Sequence, residues 1–555
     1  MDDQIKLVII DDGVNEKLYN AGSLWLDLEI TKDLQIKQRI DYSPYEPSHG
    51  TTCGAIIKKY SPNAVLGSIK VLNDDSRRGI RDQLVTALFW CADNAVKLAN
   101  LSIGSIDFRD HEVIRKAVNY AVHKGAIIVA ACNNKYIYTH PASLSNVIGV
   151  KCDVSERQKE GQYYYNHSPL DGIDITACSK HLLSKYNGDE KITSSCNSFA
   201  APMITALSYN ILKQNPSISL EEMKHKLAAG AVNDLPDKWS ANMQQRVDWI
   251  ESALVFDINC SHKPKVKIPY KLTDKYEVAI ECSNNCEGIS EIDKCLKNNK
   301  SITSEIDTVI ISSDDTSPPA DGACLSVLIS TLENINKDLV YLDDNLSFEN
   351  AFNALRRIKV FHPANYKNIS SDVTTSINIP IIAVYDFSGI EYLSCISSLT
   401  DIFRENGYNA IAVSDTCKGV IAGIEYIPFM NNESQDEFEH TTLSHFNRVF
   451  DPDIILLGIN ASIKKPDFLK RLEEKYDIDI RILLLPEDSD HMNDIIDQHT
   501  GCKTILFTSG VRNYYNAYES VDLSDKCCAE QLYDRIISLF EDVDRHKTIA
   551  ASLAE

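Results

Sequence analysis

Residues 7–13 read LVIIDDG, a run of four apolar residues that ends in two aspartates and a glycine. Such a run, bounded by polar residues, is typical of a strand that is buried on both faces of a sheet. In an open sheet of parallel strands, the residues at the carboxyl ends of the strands line the ligand crevice. The pattern therefore predicts that Asp11 faces a functional site.

Short apolar runs of this kind alternate with helical segments along the whole chain. In the first part the predicted strands are Leu7–Ile10, Val65–Leu72, Leu98–Ile103, Ala126–Ala131 and Asn146–Val150, and the predicted helices include Gln83–Lys97 and Glu112–His123. Further on, the predicted strands are Tyr276–Cys282, Thr308–Ser312, Asp338–Leu342, Ile381–Tyr385, Ala410–Val413, Asp453–Leu457, Ile480–Leu485 and Lys503–Phe507. Strands that alternate with helices indicate parallel sheets covered by helices on both faces, so we predict an α/β fold throughout.

The length of 555 residues suits three to four domains at about 150 residues per domain. Two polar stretches are typical of domain boundaries, SHKPKVKIP at residues 261–269 and NISSDVTTSINIP at residues 368–380. We therefore predict three α/β domains, at residues 1–258, 266–368 and 378–550.

The composition excludes several classes of function. The chain has 56 basic and 79 acidic side chains, and 56 − 79 gives a net charge of −23. A protein this acidic lacks the positive surface that binds nucleic acid or an anionic membrane. The first residues are acidic, and no apolar run approaches the roughly 18 residues that span a membrane. We expect a cytoplasmic protein.

The 16 cysteines are spread over the chain without paired spacing. In a reducing compartment we expect them to be free thiols, most of them buried. Cys282, Cys286 and Cys295 come closest to a cluster, but their C-x3-C-x8-C spacing lacks a fourth ligand. The sequence therefore predicts no metal site and no cofactor, and it leaves a structural calcium ion unassigned.

Three further segments carry residues suited to nucleophilic catalysis. They are HGTTCGAII at residues 49–57, IIVAACNN at 127–134 and SSCNSFAAP at 194–202. A serine hydroxyl becomes a good nucleophile when an imidazole takes its proton, and the imidazole needs a carboxylate that fixes its tautomer. A helix that begins at Ser198 would place its positive end where an oxyanion develops, and an asparagine at the end of a strand could add a second donor.

With Asp11, His49 and Ser198 in that order, residues 1 to about 255 resemble the subtilisin-like serine proteases. Asp11 matches the aspartate of the D-[ST]-G motif, His49 the histidine of H-G-T-H, and Ser198 the serine of G-T-S-M-A-x-P. Asn133 matches the asparagine that holds the oxyanion in that family, and residues 100–104, NLSIG, resemble its N-M-S-L-G substrate-binding strand.

The resemblance implies a subtilisin-like sheet and a role for each matched residue. Asp11, His49 and Ser198 would form the catalytic triad, with Asn133 in the oxyanion hole. The substrate would lie as an extended strand along the protein. The residues expected to bind it are Leu101, Ser102, Ile103, Gly104, Ala130, Ala131 and Cys132.

Several positions depart from the family motifs without removing a catalytic atom. Cys196 and Asn197 replace the Gly-Thr before the serine, and Asp12 replaces the serine or threonine after the triad aspartate. As a second carboxylate, Asp12 is expected to raise the pKa of the histidine further. Cys53, Cys132 and Cys196 lie within a few residues of His49, Asn133 and Ser198. They are either small packing residues or thiols whose oxidation switches activity off.

The resemblance implies a serine endopeptidase. Only ten residues precede Asp11, and in this respect the chain resembles intracellular subtilisins without an N-terminal pro-domain. We therefore expect narrow specificity, a partner or the C-terminal half to restrain activity. We expect selective processing of a peptide or protein, such as leader removal from a ribosomally made precursor peptide in a bacterial cytoplasm. Two alternatives stay open: an inactive peptide-binding module, and a protease that its C-terminal domain regulates in stress or defence.

The C-terminal half has a strand-turn-helix segment, residues 381–389, that resembles the phosphate-binding turn of P-loop proteins. The segment lacks the G-x-x-x-x-G-K-[ST] motif, because no lysine follows Gly389. We therefore predict a degenerate nucleotide-binding-like scaffold that binds substrate or a partner protein. It is loosely similar to accessory domains of bacterial peptide-maturation systems, which is an analogy at the level of fold.

Overall fold

A computed structural model describes most of the chain. The described residues are 5–40, 42–72, 81–167, 169–236, 239–259, 268–269, 277–299, 304–313, 320–343, 357–363, 377–388, 392–427, 436–463, 466–485, 503–508, 519–522 and 528–554. The chain divides into two compact units. The first comprises Met1–Asn259, Tyr270–Tyr341 and Asn345–Ile369, and the second comprises Cys260–Pro269, Leu342–Asp344 and Ser370–Glu555. The predicted boundary stretches, 261–269 and 368–380, lie mostly outside the described residues.

The first sheet has nine strands in the order β3-β2-β4-β1-β5-β6-β7-β9-β8. Their bounds are β1 Leu7–Asp11, β2 Leu26–Ile30, β3 Ile36–Gln38, β4 Leu66–Lys70, β5 Leu98–Leu101, β6 Ile127–Ala131, β7 Ile148–Cys152, β8 Tyr163–Tyr165 and β9 Ile175–Ala177. The seven central strands pair in parallel, and β3 and β8 pair antiparallel at the edges. A separate hairpin consists of β10 Leu182–Ser184 and β11 Glu190–Ile192.

Five helices cover both faces of this sheet. They are α1 His49–Tyr60, α2 Arg81–Asp93, α3 His111–His123, α4 Asn197–Gln214 and α5 Leu220–Ala229. Alternate residues of β1 enter the two cores, because successive side chains of a strand point to opposite faces. Leu7 and Ile9 pack with α1 and α4, and Val8 and Ile10 pack with α2 and α3. The predicted α/β class and the predicted helix at Ser198 are both observed.

The second sheet has six strands in the order β12-β17-β16-β15-β13-β14. Their bounds are β12 Met243–Gln244, β13 Ala253–Ile258, β14 Glu277–Ile280, β15 Thr308–Ser313, β16 Asp338–Leu342 and β17 Val360–Phe361. Helices α6 Asn285–Asn298 and α7 Gly322–Ile335 cover one face. The ends of three strands lie level, since Ile258 pairs with both Ile280 and Ser313. We call this part the small domain.

Buried polar contacts join the small domain to the first sheet within the same compact unit. Arg115 of α3 is 2% exposed and donates to the carbonyl of Ile250 at 2.9 Å and to the Glu251 carboxylate at 2.8 Å. The Lys359 ammonium lies 2.6 Å from the Glu221 carboxylate of α5. A buried charge that loses its partner is costly, so separating the two parts would leave Arg115 and Lys359 unpaired. These contacts therefore hold the small domain against the first sheet.

The third sheet belongs to the second unit and has seven strands in the order β20-β19-β21-β18-β22-β23-β24. Their bounds are β18 Ile381–Asp386, β19 Ala410–Ser414, β20 Glu425–Tyr426, β21 Ile454–Asn460, β22 Ile480–Leu485, β23 Lys503–Thr508 and β24 Glu519–Asp522. The helices are α8 Tyr392–Glu405, α9 Asp436–Phe450, α10 Pro466–Tyr476 and α11 Cys528–Ala554. Within the described ranges, no helix combines the length and apolar character needed to cross a bilayer.

The segment compared with a phosphate-binding turn is described only in part. The Asp386 carboxylate accepts the backbone N–H of Ser388 at 2.8 Å and its hydroxyl at 2.6 Å. Gly389 lies outside the described residues, and α8 begins at Tyr392. A role for this scaffold in binding a nucleotide, substrate or partner therefore stays a prediction.

Candidate active site

The central strand β1 and the start of α1 bring Asp11 and His49 together. Asp11 is the last residue of β1 and is fully buried, and His49 is the first residue of α1. The ring Nδ1 of His49 lies 2.9 Å from Oδ2 and 3.0 Å from Oδ1 of Asp11. A carboxylate at this distance favours a proton on Nδ1, which leaves Nε2 able to accept one.

The start of α1 is held by two polar side chains. The Asp12 carboxylate accepts the backbone N–H groups of His49 at 2.9 Å and Gly50 at 2.7 Å, and Ser48 accepts that of Thr51 at 3.1 Å. These bonds use three of the N–H groups that a helix start leaves unpaired. Gly50 is required here, because a Cβ would lie 2.7 Å from the carbonyl of Gly13.

The charges around His49 determine its protonation. Burial lowers the pKa of His49, but the Cys53 sulfur and the Asp11 carboxylate beside Nδ1 raise it by more, so the net shift is upward. Burial raises the pKa of Asp12, and the neighbouring Asp11 raises it further, against the backbone N–H groups that Asp12 accepts. The site therefore stabilises the imidazolium form of His49 relative to that of a free histidine.

Ser198 is the second residue of α4, so its backbone N–H is among the N–H groups at the positive end of that helix. Pro202 lies four residues later and lacks the N–H that would bond the carbonyl of Ser198. That carbonyl instead accepts the hydroxyl of Ser102 at 3.1 Å and the thiol of Cys53 at 3.6 Å. The proline thus leaves an acceptor that two side chains from elsewhere in the domain satisfy.

The Ser198 hydroxyl is not hydrogen-bonded to His49 in the described structure, although the residue after Ser198 contacts that ring. The ring of the next residue, Phe199, stacks on the His49 ring with centroids 5.3 Å apart. Among the described residues, the hydroxyl makes no hydrogen bond to the imidazole. Such contacts are often long in unliganded enzymes and tighten when substrate binds.

Asn133 lies beside the start of α4. Its backbone carbonyl accepts the side-chain amide of Asn197 at 2.8 Å, and its own side-chain oxygen accepts the N–H of Lys135 at 2.7 Å. The side-chain oxygen of Asn133 only accepts, so the Nδ2 hydrogens are the side-chain donors that Asn133 can offer an oxyanion. Asn197, which replaces the threonine of the family motif, is fully buried and also accepts the N–H of Cys152 at 2.7 Å. Motif matching gave Asn197 no role.

The predicted substrate-binding residues divide into two groups. Leu101 and Ala130 are fully buried in the core with α2 and α3, and Ala131 and Cys132 are each 4% exposed. Ser102, Ile103 and Gly104 are more accessible and continue beyond β5. This segment ends at Ser105, which exchanges two backbone hydrogen bonds with His140, at 2.8 and 2.7 Å.

Gly104 is required by the close approach of that neighbouring backbone, because a Cβ would lie 2.5 Å from the carbonyl of His140. Side-chain contact with a substrate along this segment is therefore limited to Ser102 and Ile103. The assignment of all seven residues to substrate binding stays a prediction.

Cys53 lies beside Asp11 and His49 in the structure, and not only near His49 in sequence. Its sulfur lies 3.9 Å from Oδ2 of Asp11 and 4.0 Å from Nδ1 of His49, and it is fully buried. Burial raises the pKa of the Cys53 thiol, and the neighbouring His49 lowers it by less, so the net shift is upward. The ligand atoms of Asp11, His49 and Cys53 lie within 4.8 Å of one another. Cys132 is also buried, and its sulfur donates to the carbonyl of Ile137 at 3.5 Å.

Comparison with known proteins bears out the resemblance drawn from the motifs. Residues 2–247 match the sequence family described as the subtilase family. Subtilisin BL of Lederbergia lenta is 25% identical over 240 residues, which are 40% of this chain and 81% of that protein. An alkaline protease of Alkalihalobacillus alcalophilus is 25% identical over 240 residues, which are 40% of this chain and 58% of that protein.

Two of the solved structures that match part of the chain are proteases. A lanthipeptide protease is 16% identical, with a TM-score of 0.34 over 43% of this chain and 85% of that chain. The prenylagaramide maturation protease PagA is 20% identical, with a TM-score of 0.32 over 42% of this chain and 86% of that chain.

Proposed function

We propose that this chain, whose residues 2–247 form a serine endopeptidase domain of the subtilase family, cleaves peptide bonds with Asp11, His49 and Ser198. The observation that carries the proposal is the contact of 2.9 Å between Nδ1 of His49 and Oδ2 of the fully buried Asp11. The two residues are 38 positions apart in the chain, so a local turn does not explain their contact. A buried carboxylate that orients an imidazole is what proton transfer from a serine requires.

In the proposed reaction, Nε2 of His49 takes the proton of the Ser198 hydroxyl as the oxygen attacks the scissile carbonyl. Asp11 holds the ring and stabilises the imidazolium that forms. The backbone N–H of Ser198, at the start of α4, and Nδ2 of Asn133 donate to the oxyanion. His49 then gives its proton to the leaving amine, and water releases the acyl group by the same steps in reverse.

A second candidate is a peptide-binding module without catalysis. The missing hydrogen bond between Ser198 and His49 in the described residues favours it, as does the replacement of Gly-Thr by Cys196 and Asn197. We favour catalysis because Asn197 holds the segment before the serine in place through bonds to Asn133 and Cys152. The binding module would give the opposite result in the labelling experiment described below.

We further propose selective processing of a peptide or protein, with a ribosomally made precursor peptide as the expected substrate. The substrate would lie extended along residues 102–104. The small domain supports selectivity, because it packs in the same compact unit as the catalytic residues and adds surface that the chemistry does not need. All thirteen cysteines that the structure describes are free thiols, which supports action in a reducing cytoplasm.

The test is covalent labelling with a fluorophosphonate probe, read by intact mass. We expect one adduct on the full chain, none on Ser198→Ala, and one on the matched control Ser195→Ala, whose serine is exposed three residues away. Circular dichroism would establish that each variant is folded. If the full chain is folded and forms no adduct, the proposal of catalysis is wrong and the peptide-binding module takes its place.

Selectivity is tested separately, by digesting a library of proteome-derived peptides and sequencing the new termini. We expect cleavage at a small set of related sites. Broad cleavage of the library would contradict selective processing while leaving the endopeptidase proposal intact.

A further inference from the structure

A group of potential metal ligands lies in the small domain, away from the proposed catalytic residues in sequence. Helices α6 and α7 follow β14 and β15, whose last residues, Ile280 and Ser313, each pair with Ile258. Both helices therefore begin at the carboxyl edge of this parallel sheet, which is the edge where open α/β sheets bind ligands.

Three side chains meet at this edge. Cys286 is in the first turn of α6, Asp321 is the N-cap of α7, and Cys324 is in the first turn of α7. The backbone N–H of Asp321 donates to the Cys286 sulfur at 3.3 Å, and the Asp321 carboxylate accepts the N–H of Cys324 at 2.8 Å. The two sulfurs and a carboxylate oxygen all lie within 4.8 Å of one another.

We propose that Cys286, Cys324 and Asp321 bind a zinc ion. Two thiolates select soft or borderline metals, and the added carboxylate favours Zn²⁺ over Cu(I). With Zn–S bonds of about 2.3 Å, two thiolates on one tetrahedral ion lie about 3.8 Å apart, so the observed cluster needs only small side-chain movements. Three protein ligands leave a fourth position for water. Cys286 and Cys324 are partly exposed and Asp321 is exposed, which gives the ion a path from solvent.

A second observation points to a ligand at the same edge. Asn285, next to Cys286, is fully buried, and neither its side-chain oxygen nor its nitrogen has a hydrogen-bond partner among the described residues. Ser313, at the end of β15, is also fully buried, with its hydroxyl unpaired within the same described ranges. Buried polar groups without partners are costly, and a bound ion with its water would supply partners.

Other cysteines fit a metal site less well. Cys53 belongs to a cluster with Asp11 and His49, but it is fully buried and its neighbours form the proposed catalytic pair. Cys282 and Cys295 are near Cys286 in sequence, yet neither joins the cluster. The Cys282 sulfur donates to the carbonyl of Asn284 at 3.2 Å, and the Cys295 sulfur accepts the amide of Asn299 at 3.4 Å.

Zinc at this position would bridge the first turns of α6 and α7. An ion that binds the folded state and not the unfolded state raises stability by mass action. The melting temperature of the full chain should therefore rise when Zn²⁺ is added after chelation. This effect does not depend on catalysis, so the Ser198→Ala variant should show it equally and without self-cleavage.

The experiment uses the full chain carrying Ser198→Ala, stripped with a chelator, reduced, and reloaded with Zn²⁺ or Co²⁺. We expect one retained ion per chain by elemental analysis, and a thiolate-to-cobalt charge-transfer absorption. Adding Cys286→Ser or Cys324→Ser should remove the absorption and weaken binding by more than roughly a hundredfold, the upper end of what a change outside the ligand set costs. Adding Cys295→Ser, the matched thiol on α6, or Cys53→Ser, the thiol of the other cluster, should change neither.

Asp321→Asn covers the case in which a serine variant does not fold. Asparagine is an equally good N-cap, so α7 should keep its start while the ion loses a charged ligand and its affinity falls. The proposal is overturned if the reduced chain retains no metal, or if binding is the same in Cys286→Ser and Cys324→Ser as in the parent. A reduced chain that binds no metal but forms a Cys286–Cys324 disulfide on oxidation would also overturn it, in favour of a redox pair.

Discussion

The Asp12 carboxylate accepts the backbone N–H of His49 at 2.9 Å, while the preceding residue, Asp11, contacts the ring of the same histidine at 2.9 Å. Two consecutive carboxylates, one at the end of β1 and one directly after it, therefore hold two different parts of His49. Asp12 acts on the helix start and Asp11 on the imidazole. The D-[ST]-G motif has serine or threonine at the position of Asp12, so this chain has a charged acceptor where the motif has a hydroxyl.

Replacing Asp12 should separate its hydrogen bonds from its charge. Asp12→Asn keeps an oxygen that can accept one of the two N–H groups, and we expect kcat/KM within about threefold of the parent. Asp12→Ala leaves both N–H groups unpaired and should lower the free energy of unfolding by about 1 kcal/mol, the usual cost of losing a helix cap. It should also reduce kcat/KM about tenfold, because the ring position relaxes. Equal activity in Asp12→Ala and the parent would show that Asp12 does not position His49.

The pH dependence follows from the raised pKa of His49. The ring must be neutral to accept a proton, so the rate of fluorophosphonate labelling should rise with pH, with a midpoint above the unperturbed value of about 6.5. Asp11→Asn removes one cause of the shift and favours the wrong tautomer. In that variant we expect the midpoint to move down and the maximal rate to fall by about four orders of magnitude.

The raised pKa of His49 affects stability in the opposite direction from the labelling rate: the rate should rise with pH, and the stability should fall. A pKa raised in the folded state contributes stability that is fully present below the unfolded value of about 6.5 and is lost as pH rises through the folded value. In Ser198→Ala, the His49 contribution to the free energy of unfolding should therefore decrease as pH rises above that range. Adding His49→Gln should remove this part of the pH dependence, and an unchanged profile would contradict the assignment.

The proposed triad could be identified from the sequence because its residues lie in short motifs at element ends. Asp11 ends an apolar strand, His49 is the first residue of a helix and Ser198 is the second residue of another, so their local context fixes their placement. The partners of the Ser198 carbonyl could not be identified in this way. Ser102 and Cys53 reach it from distant segments, and the reason for their contact, the missing N–H of Pro202, is visible only once α4 is built.

The cluster of potential metal ligands in the small domain could not be identified from the sequence either. Spacing drew attention to Cys282 and Cys295, which are near Cys286 in sequence. The partner that the fold supplies for Cys286 is Asp321, 35 positions away, together with Cys324. Helices that follow neighbouring strands begin at the same edge of a parallel sheet, and that juxtaposition depends on strand order. Strand order in this domain, with β13 between β14 and β15, was not deducible from hydrophobic pattern.

The buried ammonium of Lys359 gives a prediction about stability. It lies 2.6 Å from the Glu221 carboxylate and 3.7 Å from that of Asp338. Lys359→Met would leave both buried carboxylates without their cation, and we expect a loss of about 3–5 kcal/mol in the free energy of unfolding. Glu221→Gln keeps the pair of Lys359 with Asp338 and should cost less. Urea denaturation of each variant, in the Ser198→Ala background, measures the difference.

The matched control is the exposed pair of Lys294 and Glu291, whose atoms lie 2.7 Å apart with side chains 61% and 53% exposed. Because solvent screens such a pair, Lys294→Met should leave the free energy of unfolding unchanged. If Lys359→Met were as harmless as Lys294→Met, the contact between α5 and the small domain would not stabilise the first unit.

The shielded thiol of Cys53 should react slowly in the folded protein. Cys53 is fully buried, whereas Cys196 is partly exposed, so iodoacetamide should modify Cys196 first and Cys53 only after unfolding. Peptide mass spectrometry of timed samples, with urea-unfolded protein as the control, measures both rates. Equal rates for the two thiols in the folded protein would contradict the burial of Cys53.

Truncation separates a catalytic domain that folds alone from one that needs the small domain. A chain ending at residue 258 keeps Arg115 and Glu221 but loses Lys359, the cation that pairs with Glu221. It also loses the rest of the second sheet, which belongs to the same compact unit. A buried charge without its partner is strongly destabilising, so we expect this chain to melt at a lower temperature than one ending at residue 369. The longer chain should keep fluorophosphonate labelling at Ser198, since it retains every segment of the first unit. Equal melting temperatures for the two truncations would mean that the small domain is docked without stabilising the catalytic residues, and its contribution would then lie in substrate selection alone.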